Sequence, residues 1–278
     1  MRQSLLNSLL WSAIGDAYGA PLEDVPRKYW RDNASEPVMS GFYGRGGWLG
    51  VTKGQVTDDT IIGLAITKSL IKNNGLNIND LINELLKIKN HWIGYGLTTT
   101  SALNNLSKGK HWSESGIEST GSGSLFYWPL SYFYTDKDLN NKTRIACSIT
   151  HKGESLLTAL TFNKCLDNLL SGQSKNEAVI NAGIKPSINE SMKGFTAKST
   201  LMSAVTAFLN NNEPLNIIKH AAYLSRDSDT SAYIAGVMIG AHSNKTPPKE
   251  LINKLHDKGK SIAKLIMSIT HSIKTYDS

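Results

Sequence analysis

Two short acidic segments carry the side chains of this chain that are best suited to chemistry. Residues 55–60 contain the run Thr-Asp-Asp-Thr, and residues 225–230 contain two aspartates alternating with Ser and Thr. Each segment directly precedes an apolar run with helical periodicity, so each predicts a helix N-terminus. One capping residue satisfies such a terminus, whereas each segment supplies four or more. Helix capping and a metal site therefore both stay open as interpretations.

The density of carboxylates bears on the metal interpretation. Packing carboxylates so closely beside apolar helices costs free energy unless a cation neutralises them. Asp and Thr offer only oxygen ligands, which suit hard ions such as Mg²⁺ or Mn²⁺ better than zinc. The helix after the second segment is rich in small residues that would let neighbouring helices approach closely. These are Ala232, Ala235, Gly236, Gly240 and Ala241.

Three further segments offer weaker signals. In residues 14–23, two glycines and a proline are expected to end a first helix and to leave Glu23 on a loop. The turn Gly121–Ser124 could hold a phosphate at a helix N-terminus, although a lone Gly-x-Gly is also an ordinary turn. His151 follows Thr150, and a single histidine is more often a cap or a packed ring than a ligand.

Helical periodicity dominates the chain, and alternating strand patterns are scarce. A first helix is expected to end near Gly15, a second to open after residues 57–59, and a third to begin at the cap Asn79. Further helical patterns cover residues 98–107, 124–134, 142–150, 153–171, 174–182, 198–211, 214–224, 229–243 and 248–272. The Gly- and Trp-rich stretch Gly41–Gly54 predicts a loop. Together these patterns predict an all-α fold with one domain over residues 1–278.

The composition excludes several classes of protein. Of 278 residues, 40% are hydrophobic and 19% are charged, which is typical of a chain that buries a core. The apolar run Ala232–Ala241 is too short to span a membrane, and Asp16 stands where a signal peptide would be cleaved. Two cysteines cannot build a disulfide framework. The net charge of +7 comes without a nucleic-acid motif. We expect a soluble, cytoplasmic protein that binds neither membranes nor nucleic acids.

Taken together and in this order, the segments resemble the ADP-ribosylglycohydrolase family, which includes the dinitrogenase reductase-activating glycohydrolase. The resemblance runs from about residue 5 to residue 241. It rests on a GDAxGxPxE signature at 15–23, TDDT at 57–60, a glycine motif with a proline at 121–129, Thr-His at 150–151, and D-x-D-T before a small-residue helix at 227–241.

The resemblance implies an all-α fold of orthogonally packed helices with a binuclear Mg²⁺ or Mn²⁺ centre. Its implied metal ligands are Thr57, Asp58, Asp59, Asp227, Asp229 and Thr230. Asp229 would bridge the two ions. Family members hydrolyse the bond between ADP-ribose and an acceptor, often an arginine side chain, so the implied substrate is an ADP-ribosylated protein.

The same resemblance assigns roles at the substrate. Asp58 and Asp229 would be catalytic. The position of Glu23 at the end of a loop interrupted by Gly and Pro predicts a third catalytic carboxylate, which approaches the substrate from outside the metal cage to activate water or steady positive charge. The ADP-ribose would lie against the turn and the histidine noted above. The implied substrate-binding residues are Gly121, Ser122, Gly123, Ser124 and His151.

Three positions depart from the family pattern. Ser122 stands where the family usually has Asn, Phe126-Tyr127 where it often has Met-Arg, and Arg226 where Gly is common. These changes spare the implied metal ligands but alter the nucleotide end of the site. Trp48, Tyr127 and Trp128 could supply stacking surfaces there instead.

Two functions are therefore open. The first is a metal-dependent enzyme that removes ADP-ribose from a protein side chain, arginine above all. The second is an immunity or binding protein that neutralises an ADP-ribosyltransferase toxin, either by hydrolysing its modification or by occluding it.

Overall fold

The computed structural model describes residues 2–24, 50–91, 94–187, 194–243 and 245–272. Helices dominate these ranges, which confirms the all-α class. The α-helices described are α1 (Arg2–Gly19), α2 (Asp58–Asn73), α3 (Ile78–Lys87), α4 (Leu97–Ser107), α5 (Trp112–Ser115), α6 (Asp136–Cys147), α7 (Gly153–Leu170), α8 (Lys175–Asn181), α9 (Ala197–Asn210), α10 (Pro214–Leu224), α11 (Ser228–His242), α12 (Lys249–Ile252) and α13 (Ile262–His271).

The remaining regular elements of the described ranges are 3₁₀ helices and two-residue strands. Two are 3₁₀ helices, Ala20–Leu22 and Ser122–Tyr132. A parallel pair joins β1 (Ile117–Glu118) to β2 (His151–Lys152). An antiparallel hairpin joins β3 (His256–Asp257) to β4 (Lys260–Ser261).

Helices α1 and α11 form the centre of the fold and run antiparallel with their backbones in contact. Almost all of both helices is buried, so neither has a solvent face. Gly15 lies against the carbonyl of Ala232, and Gly236 lies against the carbonyl of Trp11. A Cβ at either glycine would overlap backbone atoms of the partner helix. The small residues of α11 thus permit the close packing expected of them, and the end of α1 lies beside the start of α11.

Three predicted helix boundaries are wrong. Helix α6 spans Asp136–Cys147 rather than the predicted residues 142–150. Helix α1 continues past Gly15 to Gly19, because Gly15 serves the contact with α11 rather than a helix stop. Helix α3 is capped by Asn77, whose side chain accepts from the Asp80 N–H, and not by Asn79.

Two predicted α-helices are also wrong. The segment 124–134 falls mostly within the 3₁₀ helix Ser122–Tyr132, whose Pro129 cannot donate an α-helical hydrogen bond. The segment 248–272 is divided into α12, the β3–β4 hairpin and α13. Lys258 and Gly259 adopt φ values of 47° and 83° at the hairpin turn, which interrupts the helical pattern.

Residues 50–54 form turns, as the predicted loop requires, whereas residues 41–49 of that loop lie outside the described ranges. Among the described helices, none has both the length and the hydropathy that crossing a membrane demands.

Candidate functional site

The antiparallel packing of α1 on α11 brings two distant motifs together. A short 3₁₀ helix continues α1 and places Glu23 beside the start of α11. The Asp24 N–H donates to the Arg226 carbonyl at 3.0 Å, and the Ser228 hydroxyl donates to the Gly19 carbonyl at 2.8 Å. These hydrogen bonds hold the first motif of the chain against the last.

Asp16, buried near the end of α1, anchors the N-terminus of α2. Its carboxylate accepts from the N–H groups of Thr57 and Thr60 at 3.0–3.2 Å and from their hydroxyls at 2.9 and 2.5 Å. The first N–H groups of a helix lack partners within the helix, so a carboxylate from elsewhere satisfies them. Capping therefore accounts for the two threonines and Asp16, and leaves Asp58 and Asp59 without that explanation.

Five carboxylates meet at this point in the interior. Oxygens of Glu23, Asp227 and Asp229 lie within 4.8 Å of one another. Asp58 and Asp59 are close enough to the others for mutual repulsion to shift their pKa values. All five side chains are buried. We call these five residues the carboxylate cluster. Glu23 belongs to it, so the expectation that Glu23 stands outside the metal cage on an open loop is wrong.

Burial and like charge both act on the protonation of the cluster. Burial, with the nearby charges of Asp227 and Asp58, raises the pKa of Glu23 to about 9. Burial and neighbouring carboxylates also raise the pKa values of Asp58, Asp59 and Asp229 well above the usual range. The charges that act on these four groups are all negative. The cluster is therefore an arrangement that a cation would stabilise.

The donor set fits a hard divalent cation. Two buried oxygens, Oε2 of Glu23 and Oδ2 of Asp59, have no hydrogen-bond partner among the described residues. An unpaired buried acceptor is costly, and a bound cation removes that cost. Thr200 donates to Oδ2 of Asp227 at 2.9 Å, which leaves the other oxygen of Asp227 for a ligand. Oxygen-only donors of this kind suit Mg²⁺ or Mn²⁺.

Thr230 orients two members of the cluster. Its N–H donates to Oδ1 of Asp229 at 2.8 Å. Its side chain also hydrogen-bonds Asp59 and lowers the pKa of that carboxyl, against the stronger effect of burial. Thr230 therefore contacts one carboxylate from each of the two helix starts.

The predicted substrate turn, Gly121–Ser124, lies at the start of the long 3₁₀ helix and packs against His151. The Ser124 hydroxyl is buried and donates to the Ser155 carbonyl at 2.8 Å, so it serves the fold rather than a ligand. A Cβ on Gly123 would press on the His151 ring, near its Nε2. His151 Nδ1 hydrogen-bonds Thr150 Oγ1 at 2.9 Å, and burial lowers the pKa of His151 to about 4. The imidazole is neutral at physiological pH.

One stretch of chain joins this turn to the carboxylate cluster along the start of α4. Gly94, with φ of 95°, lies against the carboxylate of Asp58, and any side chain there would collide with it. Further along the same stretch, Thr99 Oγ1 lies beside Gly123. The stretch 94–99 therefore runs from the cluster to the glycine turn.

A second stretch makes the same connection at the start of α9. Thr196 pairs with Gly121 through an isolated β-bridge. Thr200, about one helical turn or 6 Å further on, donates to Asp227. The stretches 94–99 and 196–200 thus each contact the cluster at one end and the glycine turn at the other.

Sequence reasoning missed two residues that shape the site and left the contact of a third, Asp16, undefined. Thr200 occurs in a segment with no acidic or glycine motif. Gly94 begins a Gly-x-Gly at residues 94–96, which by itself indicates only an ordinary turn. Asp16 lies in the first motif, but only the tertiary contact with α2 reveals that it anchors the Thr-Asp-Asp-Thr segment.

Two of the three suggested stacking surfaces are not available. Tyr127 and Trp128 are fully buried, where they hydrogen-bond Thr150 and Tyr233 respectively at 2.9 Å. Both rings belong to the core because the 3₁₀ helix turns them inward. Trp48 lies outside the described residues.

Known proteins share this arrangement of segments. The family model described as ADP-ribosylglycohydrolase matches residues 1–277. The chain is 26% identical to an ADP-ribosylarginine hydrolase, Tri1, of Pseudomonas putida (strain GB-1), over 89% of this chain and 73% of that protein. It is 34% identical to the ADP-ribosyl-[dinitrogen reductase] glycohydrolase of Rhodospirillum rubrum, over 34% of this chain and 31% of that protein.

A solved structure supports the fold. A chain titled ADP-ribosylglycohydrolase-related protein complex superimposes with a TM-score of 0.76 and 24% identity, covering 98% of this chain and 97% of that one. The predicted enzyme class, a glycohydrolase acting on ADP-ribose, is confirmed by the family match and the named hydrolases. On this evidence, the chain belongs to the ADP-ribosylglycohydrolase family.

Proposed function

We propose that this protein is a metal-dependent hydrolase that releases ADP-ribose from arginine side chains of modified proteins. The observation that carries the proposal is the buried carboxylate cluster, with its unpaired oxygens, beside a glycine turn able to receive a pyrophosphate. The acceptor is inferred from the relative in Pseudomonas putida, which is named for arginine and aligns with 89% of this chain.

Two Mg²⁺ or Mn²⁺ ions would be held by residues at the starts of two helices. Thr57, Asp58 and Asp59 stand at the start of α2, and Asp227, Asp229 and Thr230 stand at the start of α11. Asp229 is the proposed bridging ligand. Bound ions would neutralise the cluster and polarise the ribose hydroxyls that orient the anomeric carbon.

Glu23 is the proposed base. With the cluster neutralised, its carboxylate is ionised and takes a proton from the water that attacks the anomeric carbon. The bond between that carbon and the arginine nitrogen breaks. The departing guanidine then takes up the proton that Glu23 received from water. The carboxylates around the reacting carbon stabilise its positive, oxocarbenium-like state.

The glycine turn and His151 are proposed to hold the rest of the ADP-ribose. The first N–H groups of the 3₁₀ helix can donate to the pyrophosphate. Because the imidazole is neutral, Nε2 can donate or accept a hydrogen bond, depending on the tautomer, without placing a charge beside Gly123.

The experiment that tests this function is a release assay on defined substrates. Purified protein with Mg²⁺ or Mn²⁺ is incubated with arginine-, serine- and nucleic-acid-linked ADP-ribose, and free ADP-ribose is followed by mass spectrometry. We expect release from the arginine-linked substrate and loss of release in EDTA. Asp58→Asn should abolish release, whereas Asp138→Asn, an exposed Asp of α6, should not. Release that survives EDTA, or none from arginine, contradicts the proposal.

A further inference from the structure

Two apolar side chains stand exposed next to the proposed site. Leu97 is 87% exposed in the first turn of α4, and Phe195 is 40% exposed directly before α9. The other exposed large apolar side chains of the described ranges occur on α7, α8, α10 and α13. These are Leu157, Ile180, Tyr223, Leu265 and Met267.

Leu97 and Phe195 belong to the two stretches that join the carboxylate cluster to the glycine turn. Leu97 lies between Gly94, which contacts Asp58, and Thr99, which lies beside Gly123. Phe195 immediately precedes the residue that pairs with the glycine turn. Both side chains are therefore exposed on short stretches whose neighbouring residues contact the cluster and the glycine turn.

Phe195 is also held in place from the side of the cluster. The Arg226 guanidinium lies over its ring, 5.4 Å from the centroid. Arg226 in turn donates through Nε to Asp24 at 2.9 Å, and these two residues adjoin Asp227 and Glu23 in sequence. An aromatic ring fixed in this way loses little further freedom when a partner covers it.

We propose that Leu97 and Phe195 form a docking rim for apolar side chains that flank the modified arginine of the substrate protein. This inference rests on the proposed function. The reacting bond must reach a buried cluster, in which Glu23 is only 7% exposed. The residues on either side of the arginine then stay at the entrance, where the rim is. Exposed apolar groups at such an entrance gain free energy by being covered, which favours apolar neighbours over charged ones.

The test compares three arginine-linked substrates. They are a modified peptide with leucines on both sides of the arginine, the same peptide with serines there, and free ADP-ribosylarginine. For the wild type we expect kcat/KM to be at least about fivefold higher on the leucine peptide than on the serine peptide. Leu97→Ser and Phe195→Ser should remove this preference and leave kcat/KM on free ADP-ribosylarginine within about twofold.

Ile180→Ser is the matched control, because Ile180 is 68% exposed on α8, away from both stretches. It should keep the wild-type preference. Equal rates on the two peptides by the wild type, or equal losses by the rim variants on all three substrates, would overturn the docking rim while leaving the hydrolase intact. Absence of release from every substrate by the wild type is a different result and would overturn the proposed function itself.

Discussion

The ionisation of Glu23 is controlled by its neighbours. Its side chain is buried, its oxygens lie within 4.8 Å of ligand oxygens of Asp227 and Asp229, and its pKa is raised to about 9. A bound cation acts in the opposite direction, because it stabilises the ionised carboxylate. The residue proposed as the base therefore becomes a base only when the cluster is loaded.

Glu23→Gln should reduce turnover by at least about tenfold, because the amide keeps the shape of the side chain and cannot accept the proton of water. The measurement is single-turnover release of ADP-ribose at saturating Mn²⁺. Metal affinity is measured alongside by calorimetry, since Glu23 also lies among the ligand oxygens. Wild-type turnover in this variant would assign proton removal to the aspartates instead.

Asp229→Asn and Asp16→Asn should fail in different ways. Asp229 is close to carboxylates from both helix starts, Asp59 of α2 and Asp227 of α11, so its loss should reduce activity by at least about a hundredfold. Asp16 accepts hydrogen bonds from Thr57 and Thr60. Asp16→Asn removes one acceptor oxygen and should therefore lower the free energy of unfolding by on the order of 1–3 kcal/mol. Activity assays and thermal unfolding of the metal-free proteins separate the two effects. Equal activity losses with equal melting temperatures would show that the two roles are misassigned.

At the scale of elements, the contact between α1 and α11 determines the distance between Glu23 and the aspartates of α11. Gly15 and Gly236 bring the two backbones together along the length of this contact. The site lies at one end of it, where α1 finishes and α11 begins. The packing of α1 against α11 therefore determines the geometry of the site.

Gly15→Ala should damage both stability and metal binding. The new methyl group would meet the Ala232 carbonyl, which is backbone and cannot rotate away, so the helices must separate. We expect a loss of about 1–3 kcal/mol in the free energy of unfolding and weaker Mn²⁺ binding. Gly96→Ala is the control, because a Cβ there meets nothing within 4 Å. Unchanged Mn²⁺ affinity in Gly15→Ala would separate packing from site geometry.

At the scale of the whole molecule, the buried carboxylates link stability to pH and to metal. Burial raises the pKa of Glu23 from 4.5 to about 9 and that of Asp16 from 3.8 to about 6. At a pH between the unfolded-state and the folded-state pKa of each group, the folded state binds more protons than the unfolded state. Stability contributed by these groups is full below their unfolded pKa values and is lost as pH rises through the folded ones.

The metal-free protein should therefore lose stability between about pH 5 and pH 9, and Mn²⁺ should restore much of it at pH 9. Urea unfolding at several pH values, with and without Mn²⁺, measures both effects. Metal-free Glu23→Gln should show a weaker pH dependence, because its amide cannot ionise. A metal-free stability that rises toward pH 9 would contradict the electrostatic description of the cluster.

The sequence by itself determined the fold class, the position of the two acidic segments at helix starts, and the family. These depend on local information, namely apolar periodicity, capping residues and short motifs whose residue types indicate the chemistry. The helix over 214–224 was predictable to the residue, because Pro214 is pre-set for the first turn of a helix. The acidic side chains of the candidate metal site could be named for the same reason.

Only the tertiary structure decided how those residues are used. The local sequence around Gly15 predicts a helix stop. Only the contact of Gly15 with the backbone of α11 explains why a glycine stands there inside a continuing helix. Asp16, Thr200 and Gly94 act on motifs more than twenty residues away along the chain. Glu23 follows glycine and proline, as an exposed loop residue would, yet it is buried among aspartates from the other end of the chain. Burial and charge proximity are sums over contacts between distant segments, and no local pattern contains them.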